Sequence, residues 1–136
     1  MKKKGFLQFV SFAIVLLLTL PAVAQNESVV TLSGNAYITS GQTAFIDEDH
    51  SAIRNWNDKE TVISFYFKTI ESGNMDIALQ AKGKSRIEVF LLGKKKKVTL
   101  NSETLSRIEL GTFKIKNPGY VKVDVRGLKI NEGDDF

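Results

Sequence analysis

Apolar and polar residues alternate along most of the chain from Thr61 onward. In the first such run the odd positions hold Ile63, Phe65 and Phe67, and the even positions hold Ser64, Tyr66 and Lys68. A period of two is typical of a strand with one buried face, because successive side chains point to opposite sides of a sheet. Turn residues recur after about eight to twelve positions, which is the spacing of short antiparallel strands. The pattern predicts an all-β domain, built as an antiparallel β-sandwich or barrel.

The same alternation predicts the remaining strands and their inward faces. The inward sets are Met75, Ile77, Leu79 and Ala81; Ile87, Val89 and Leu91; Val98 and Leu100; and Val121, Val123 and Val125. A further strand is predicted over residues 106–116. Gly93 with Lys94 is the predicted tip of one hairpin, and Asn117-Pro118-Gly119 has the composition of a type II turn. We expect that turn to fold the chain back directly into a strand over residues 120–126.

The first third of the chain is less regular. Short strands are predicted at residues 28–32, 36–39 and 43–46, followed by a polar stretch over residues 47–59 that we interpret as a long surface loop. Long ordered loops on a rigid sheet often carry binding residues. We therefore expect candidate site residues in or near this loop.

The N-terminal residues have the order of a secretory signal peptide. Lysines at positions 2–4 precede an apolar run over residues 6–20, and small residues lead up to Ala24. The run is shorter than the roughly 20 residues that span a bilayer, so we expect cleavage after Ala24 rather than a membrane anchor. The predicted product is one domain over residues 25–136, secreted or held in the periplasm or cell envelope, with no membrane span after cleavage.

Removal of residues 1–24 changes the charge balance. The chain has 19 basic and 15 acidic residues, and three of the basic ones lie before position 25, which leaves a net charge of +1. A balanced surface does not predict a nucleic-acid partner. The lysine run at residues 94–97 could grip an anionic polymer, but the favoured interpretation is that it keeps a sheet edge soluble. The chain has no cysteine, so packing must stabilise it without disulfides.

Residues suited to catalysis or metal binding are sparse. Nucleophilic catalysis would have to use His50, the one histidine, which we interpret as a solvated loop residue. No spacing singles out a pair of carboxylates for glycoside hydrolysis. The acidic run Asp47-Glu48-Asp49 offers oxygen ligands that suit calcium, although a plain polar loop is the favoured interpretation. No cofactor is predicted, and a structural calcium ion remains an open alternative.

A candidate sugar site surrounds the one tryptophan. Sugars are recognised by flat aromatic faces together with planar polar groups that hydrogen-bond to hydroxyls. The proposed ligand-binding residues are Trp56, Asn55, Asn57, Arg54, Tyr37 and Asn35. A competing interpretation places Trp56 at the end of the core, and neither is preferred. Weaker candidates, because any solvated sheet face has a similar composition, are the outward residues Tyr66, Gln80, Glu88, Tyr120 and Asp124.

Four segments of the chain resemble a known family. They are G-N-A-Y-I-T at 34–39, N-W-N at 55–57 leading into 61–67, L-G-T-F at 110–113 and P-G-Y-V-K-V at 118–123. The family is an uncharacterised exported bacterial domain, usually found ahead of a larger domain of unknown function. It is similar to the jelly-roll, galactose-binding-like sandwiches of carbohydrate-binding modules. The resemblance implies a glycan-binding accessory role, and it supplies no catalytic residues to carry over.

The chain departs from that family in two respects. It lacks the larger domain, which is therefore an expected partner, and it ends where one more strand would begin, so we expect an open sheet edge.

Together these observations predict a non-catalytic exported module that binds a polysaccharide or glycan. The alternative is a structural or protein-interaction module of the cell envelope. A small glycoside hydrolase or lyase is a third hypothesis, and it would require two acids that face each other across an open groove.

Overall fold

The computed structural model describes residues 27–129, and in that range the chain forms nine strands and no helix. The strands are β1 Ala36–Ser40, β2 Phe45–Ile46, β3 Ile53–Arg54, β4 Val62–Thr69, β5 Gly73–Gly83, β6 Arg86–Leu91, β7 Lys94–Thr99, β8 Ser102–Ile115 and β9 Gly119–Lys129. The predicted all-β class is confirmed. Nothing in this part of the chain forms a helix able to cross a membrane. The predicted signal peptide and the predicted lack of a last strand concern residues outside the described range.

Five strands form one antiparallel sheet in the order β1-β4-β9-β6-β7. β9 lies at its centre and pairs with β4 along its length, from Gly119 opposite Thr69 to Arg126 opposite Val62. β6 pairs with the other side of β9, and β7 pairs with β6. Two antiparallel ribbons, β2-β3 and the longer β5-β8, complete the described structure.

One hydrophobic cluster joins the five-stranded sheet to the β5-β8 ribbon. Val121, Val123 and Val125 of β9 are at most 4% exposed, and they share this cluster with Leu110 and Phe113 of β8. Burial of such a side chain contributes about 1.5–3 kcal/mol. The predicted inward residues of β6 and β9 are confirmed as buried. The predicted inward residues that are only partly buried, although they pack against the cluster, are Phe65, Phe67, Met75, Ile77 and Leu79.

The connections between strands are mostly not hairpins. β6 and β7 form a hairpin, but the chain passes between the five-stranded sheet and the ribbon at β4-β5, β5-β6, β7-β8 and β8-β9. β9 follows the predicted turn at Asn117-Pro118 directly, yet it pairs with β4 and β6 instead of β8. A turn fixes the local reversal of the chain, whereas the partner of a strand depends on which apolar face it must cover.

The predicted strand at residues 28–32 is not formed. The side-chain amide of Asn35 donates to the carbonyl oxygens of Thr31 and Ser33, both at 3.1 Å, and closes a turn at this point. Asparagine side chains compete with strand pairing in this manner. The next prediction, a strand at residues 36–39, is confirmed as β1.

Two other predictions near the N-terminal third are modified. The strand predicted over residues 43–46 is limited to β2, and the predicted loop over residues 47–59 contains β3, which pairs with β2. The loop therefore folds onto itself as a small ribbon and is not an irregular segment throughout.

The hairpin between β6 and β7 turns one residue earlier than predicted. Leu92 and Gly93 form the tip, with φ angles of 50° and 76°, and the four lysines belong to β7 itself. Two successive residues with positive φ are the signature of a type I′ turn, in which asparagine and glycine are favoured. Leucine at the first position is therefore strained.

Leu92→Asn should raise the free energy of unfolding by about 0.5–1 kcal/mol, because the left-handed region costs a branched side chain about 1 kcal/mol that asparagine largely avoids. Leu92 is 48% exposed, so the substitution loses little burial. Urea unfolding measures the change. Leu105→Asn, at a residue 64% exposed in β8, is the matched control and should give no gain. An unchanged or lower stability for Leu92→Asn contradicts the turn assignment.

Candidate functional site

The indole ring of Trp56 is packed inside the domain. Its side chain is 1% exposed, belongs to the hydrophobic cluster, and donates its Nε1–H to the carbonyl oxygen of Asp58 at 3.1 Å. A ring this deeply buried presents no face on which a sugar could stack. The interpretation that places Trp56 at the end of the core describes the structure, and the predicted stacking platform is not formed.

Three other predicted ligand residues brace the loops around this tryptophan. Arg54 Nε lies 3.3 Å from Asp47 Oδ2. Asn55 donates its side-chain N–H to the carbonyl oxygen of Thr43 at 3.0 Å, and Asn57 donates to Asn55 Oδ1 at 3.3 Å. These polar groups were predicted to bind sugar hydroxyls, and the structure instead uses them in contacts within the loops.

Asp58, which no sequence pattern singled out, is the centre of these contacts. Its carboxylate accepts hydrogen bonds from the Thr43 hydroxyl, from the Thr61 backbone N–H at 2.6 Å and from the Thr61 hydroxyl at 2.9 Å. The Thr43 hydrogen bond is the main reason why the pKa of Asp58 is lowered. Gly41, with φ of 92°, lies so close to Thr61 that a Cβ would come within 2.1 Å of its hydroxyl oxygen.

A shallow depression lies over these contacts. It is lined by Gly41, Gln42, Thr43, Asp58 and Glu60. Within this lining, the carboxylate of Asp58 already accepts three hydrogen bonds from Thr43 and Thr61.

The acidic run at residues 47–49 also serves the loop. Asp47 accepts hydrogen bonds from the backbone N–H groups of Ser51 at 2.8 Å and Ala52 at 2.9 Å, and from the Ser51 hydroxyl at 3.1 Å. Within residues 27–129, no three histidine, cysteine, aspartate or glutamate side chains are grouped so that they could hold a metal ion. The polar-loop interpretation therefore describes Asp47, and its contacts give no support to a calcium site.

The hydrogen bonds of Asp47 should stabilise the domain at neutral pH, and this contribution should be lost in acid. The pKa of Asp47 is lowered from 3.8 to about 2, chiefly by the backbone hydrogen bond from Ala52. A carboxyl group with a lowered pKa in the folded state contributes stability that is complete above its unfolded pKa and is lost as the pH falls through the folded pKa. We expect Asp47→Asn to unfold more readily near neutral pH and to lose less stability than wild type between about pH 4 and pH 2. Urea unfolding of both proteins at neutral pH and across this acid range measures the two effects. If the free energies of unfolding of Asp47→Asn and wild type change in parallel with pH, the lowered pKa of Asp47 is contradicted.

Trp56→Ala should lower the free energy of unfolding by about 3–5 kcal/mol, because it leaves a large cavity and removes an indole hydrogen bond. Chemical denaturation followed by circular dichroism measures the loss. Phe45→Ala, which truncates an aromatic ring that is 52% exposed, is the control and should cost much less. Equal unfolding midpoints for Trp56→Ala and wild type would show that the ring is not in the core.

Asn35 and Tyr37, the remaining predicted ligand residues, lie at the edge strand β1 or just before it. The amide of Asn35 is engaged in the turn described above. Tyr37 is 50% exposed, and its hydroxyl donates to the carbonyl oxygen of Gly34 at 3.1 Å. Its ring meets Tyr66 edge to face, with 5.8 Å between centroids and 73° between planes. Tyr37 thus keeps an exposed aromatic ring on the outward side of the five-stranded sheet.

Three tyrosines form a diagonal row on that side. Tyr37 lies opposite Ser64, two residues before Tyr66, and Tyr120 lies opposite Lys68, two residues after it. Diagonal neighbours in a sheet are about 7–8 Å apart, so the row extends over about 15 Å. Tyr120 is 81% exposed. We call the outward side of the five-stranded sheet around Tyr37, Tyr66 and Tyr120 the tyrosine face.

A hydrogen-bonded set of polar side chains lies beside these rings. Ser64 donates to Asp124 Oδ1 at 2.6 Å and shares a 2.9 Å hydrogen bond with Thr39. Lys122 Nζ lies 3.0 Å from Asp124 Oδ1 and 6.0 Å from the centre of the Tyr66 ring. The hydrogen bond to Asp124 is the main reason why the pKa of Lys122 is raised, so its ammonium stays charged. The face therefore combines aromatic rings with fixed polar groups.

The two carboxylates of the face are Glu88 and Asp124. Glu88 lies opposite Arg126 and Asp124 lies opposite Phe90, which makes the two acids diagonal neighbours. Arg126 contacts Glu88 at 2.6 Å, and Lys122 contacts Asp124. Gln80, the remaining weaker candidate, lies on the β5-β8 ribbon and not on this face.

Fold and surface together define an all-β domain of antiparallel sheets that exposes aromatic side chains on an open sheet face. The chain belongs to the family described as Domain of unknown function (DUF5077), whose model matches residues 30–136. The match includes all nine strands. No curated protein matches the chain.

Proposed function

We propose that this domain is a non-catalytic, exported carbohydrate-binding module that takes a polysaccharide on its tyrosine face. In this proposal the two packed sheets form a jelly-roll-like β-sandwich, and the protein acts in the periplasm, cell envelope or outside the cell. The resemblance of the sequence to carbohydrate-binding sandwiches supports the proposal, as does the order of residues at the N-terminus.

The observation that carries the proposal is a row of tyrosines beside a fixed polar set, in which Tyr37 and Tyr120 are exposed and Tyr66 is partly buried between them. Apolar faces of pyranose rings stack on aromatic side chains, while sugar hydroxyls need donors and acceptors at defined positions. Tyr37, Tyr66 and Tyr120 supply the rings, and Asp124 and Lys122 supply the polar groups. A row of about 15 Å is long enough to meet more than one sugar unit, which suits a chain better than a single monosaccharide.

A flat sheet face also fits a ligand that the domain does not cleave. The outward side chains of a sheet form a surface open along its length, so a long polymer can cross it without threading into a pocket. The ion-paired state of Glu88 and Asp124 agrees with a binding role. The site proposed here keeps Tyr37 from the residues predicted by sequence and replaces Trp56 by Tyr66 and Tyr120.

The double variant Tyr66→Ala/Tyr120→Ala should weaken polysaccharide binding about fivefold or more, since each lost ring contact is worth about 0.5–1.5 kcal/mol. Affinity gel electrophoresis of the processed protein, residues 25–136, through a panel of soluble polysaccharides measures it. Phe45→Ala removes a ring that is 52% exposed from β2, which is not a strand of this sheet, and should bind like wild type.

Two outcomes would count against the proposal. If the double variant binds like wild type, the tyrosine face is not the site. If no polysaccharide retards the wild-type protein, the alternative of a structural or protein-interaction module is favoured.

A further inference from the structure

The tyrosine face carries an excess of positive charge. Its acidic side chains, by strand register, are Glu88 and Asp124, and its basic ones are Lys68, Arg86, Lys95, Lys97, Lys122, Arg126 and Lys129. These seven cations and two anions give a net charge of +5, while residues 25–136 as a whole have +1. The remainder of that range is therefore net negative, and the positive charge is concentrated on one face.

Every second residue of the lysine run at 94–97 lies on the tyrosine face, because side chains alternate along a strand. Lys95 and Lys97 lie opposite Phe90 and Glu88 and point outward with them, whereas Lys96 lies opposite the buried Val89. The ammonium of Lys96 reaches Gly111 of β8, where a Cβ would come within 2.7 Å of it. Only half of the four-lysine run thus belongs to the tyrosine face.

Five of the seven cations on the face make no ion pair within the part of the chain that the structure describes. Arg126 is paired with Glu88 and Lys122 with Asp124. The cations without an ion pair there are Lys68, Arg86, Lys95, Lys97 and Lys129. Lys68 lies 6.0 Å from the centre of the Tyr120 ring. Clustered like charges repel, and an anionic ligand relieves that repulsion.

Edge protection does not account for this pattern. Lysines on an edge strand discourage pairing between sheets, which would explain the residues of β7. Lys68 and Lys122, however, lie on β4 and β9, which are interior strands of the sheet with no open edge to protect.

We propose that the polysaccharide recognised by this face is polyanionic, with carboxylate or sulfate groups along its chain. This inference rests on the proposed function and narrows its ligand class. The tyrosines stack on sugar rings, and Lys68, Lys95 and Lys97 on either side of the row pair with the anionic substituents. A polyanion without sugar rings would not use the tyrosine rings, and a neutral glycan would leave these three lysines unpaired.

Matched polymers test the ligand class with the processed protein. Polygalacturonate is compared with its fully methyl-esterified form, and dextran sulfate with unsulfated dextran, by affinity electrophoresis or calorimetry at low and at high salt. At least one charged polymer should bind about tenfold or more tightly than its neutral counterpart, and salt should weaken that binding. Carboxylate and sulfate are distinguished by which pair shows the difference.

The outcomes separate this inference from the proposed function. If neutral polysaccharides bind as well as the charged ones, the charge inference is overturned and the glycan proposal stands. If nothing binds, both fail. A single-stranded oligonucleotide of similar charge is a third probe, and binding as tight as that of the best glycan would overturn the inference in favour of unspecific attraction to polyanions.

Variants locate the effect on the face. Lys95→Gln/Lys97→Gln should weaken binding of the charged polymer about fivefold or more and leave any neutral polysaccharide unaffected. Lys84→Gln/Lys114→Gln removes the same charge from Lys84, just after β5, and from Lys114 of β8, both outside the strands of the five-stranded sheet, and is the control. Equal losses in the two double variants would show that net charge alone, and not the face, attracts the polymer.

Discussion

The pairing of β9 at the centre of the five-stranded sheet is the constraint on which the rest of the structure depends. Its odd positions, Val121, Val123 and Val125, are buried in the cluster shared with the β5-β8 ribbon. Its even positions include Tyr120 and Lys122, which face outward. Because the side chains of a strand alternate, burial of the valines fixes the outward residues on both neighbouring strands. The same strand register therefore determines both the core and the candidate site. A shift of β9 by one residue relative to its neighbours would destroy both.

Local alternation made much of the fold predictable, and non-local pairing made the rest unpredictable. The buried residues of β6 and β9 follow from a period of two that any short window of sequence displays. The pairing order does not, because the turn at Asn117-Pro118 is compatible with a hairpin and with a passage between sheets. The strand predicted at residues 28–32 failed for a local reason, since the amide of Asn35 offers the backbone another partner.

The candidate site was only partly visible in the sequence. A lone tryptophan among asparagine and arginine is as compatible with a core position as with a sugar-stacking platform, and its 1% exposure in the folded domain decides for the core. Tyr66 and Tyr120 were recognisable as outward residues of strands, but their alignment with Tyr37 depends on β1 and β9 both pairing with β4. Asp58 was missed because its role arises from two chain segments, around Thr43 and around Thr61, that meet only in the folded protein.

The most direct test of the account is to locate the bound ligand on the protein by backbone amide NMR. An oligosaccharide cut from the polymer that binds best is titrated into the processed, isotope-labelled protein. The account predicts that the largest shifts occur at the amides of β4 and β9 around Tyr66 and Tyr120, while those of residues 54–57 stay nearly unchanged. Shifts centred on residues 54–57, with β4 and β9 unaffected, would contradict it.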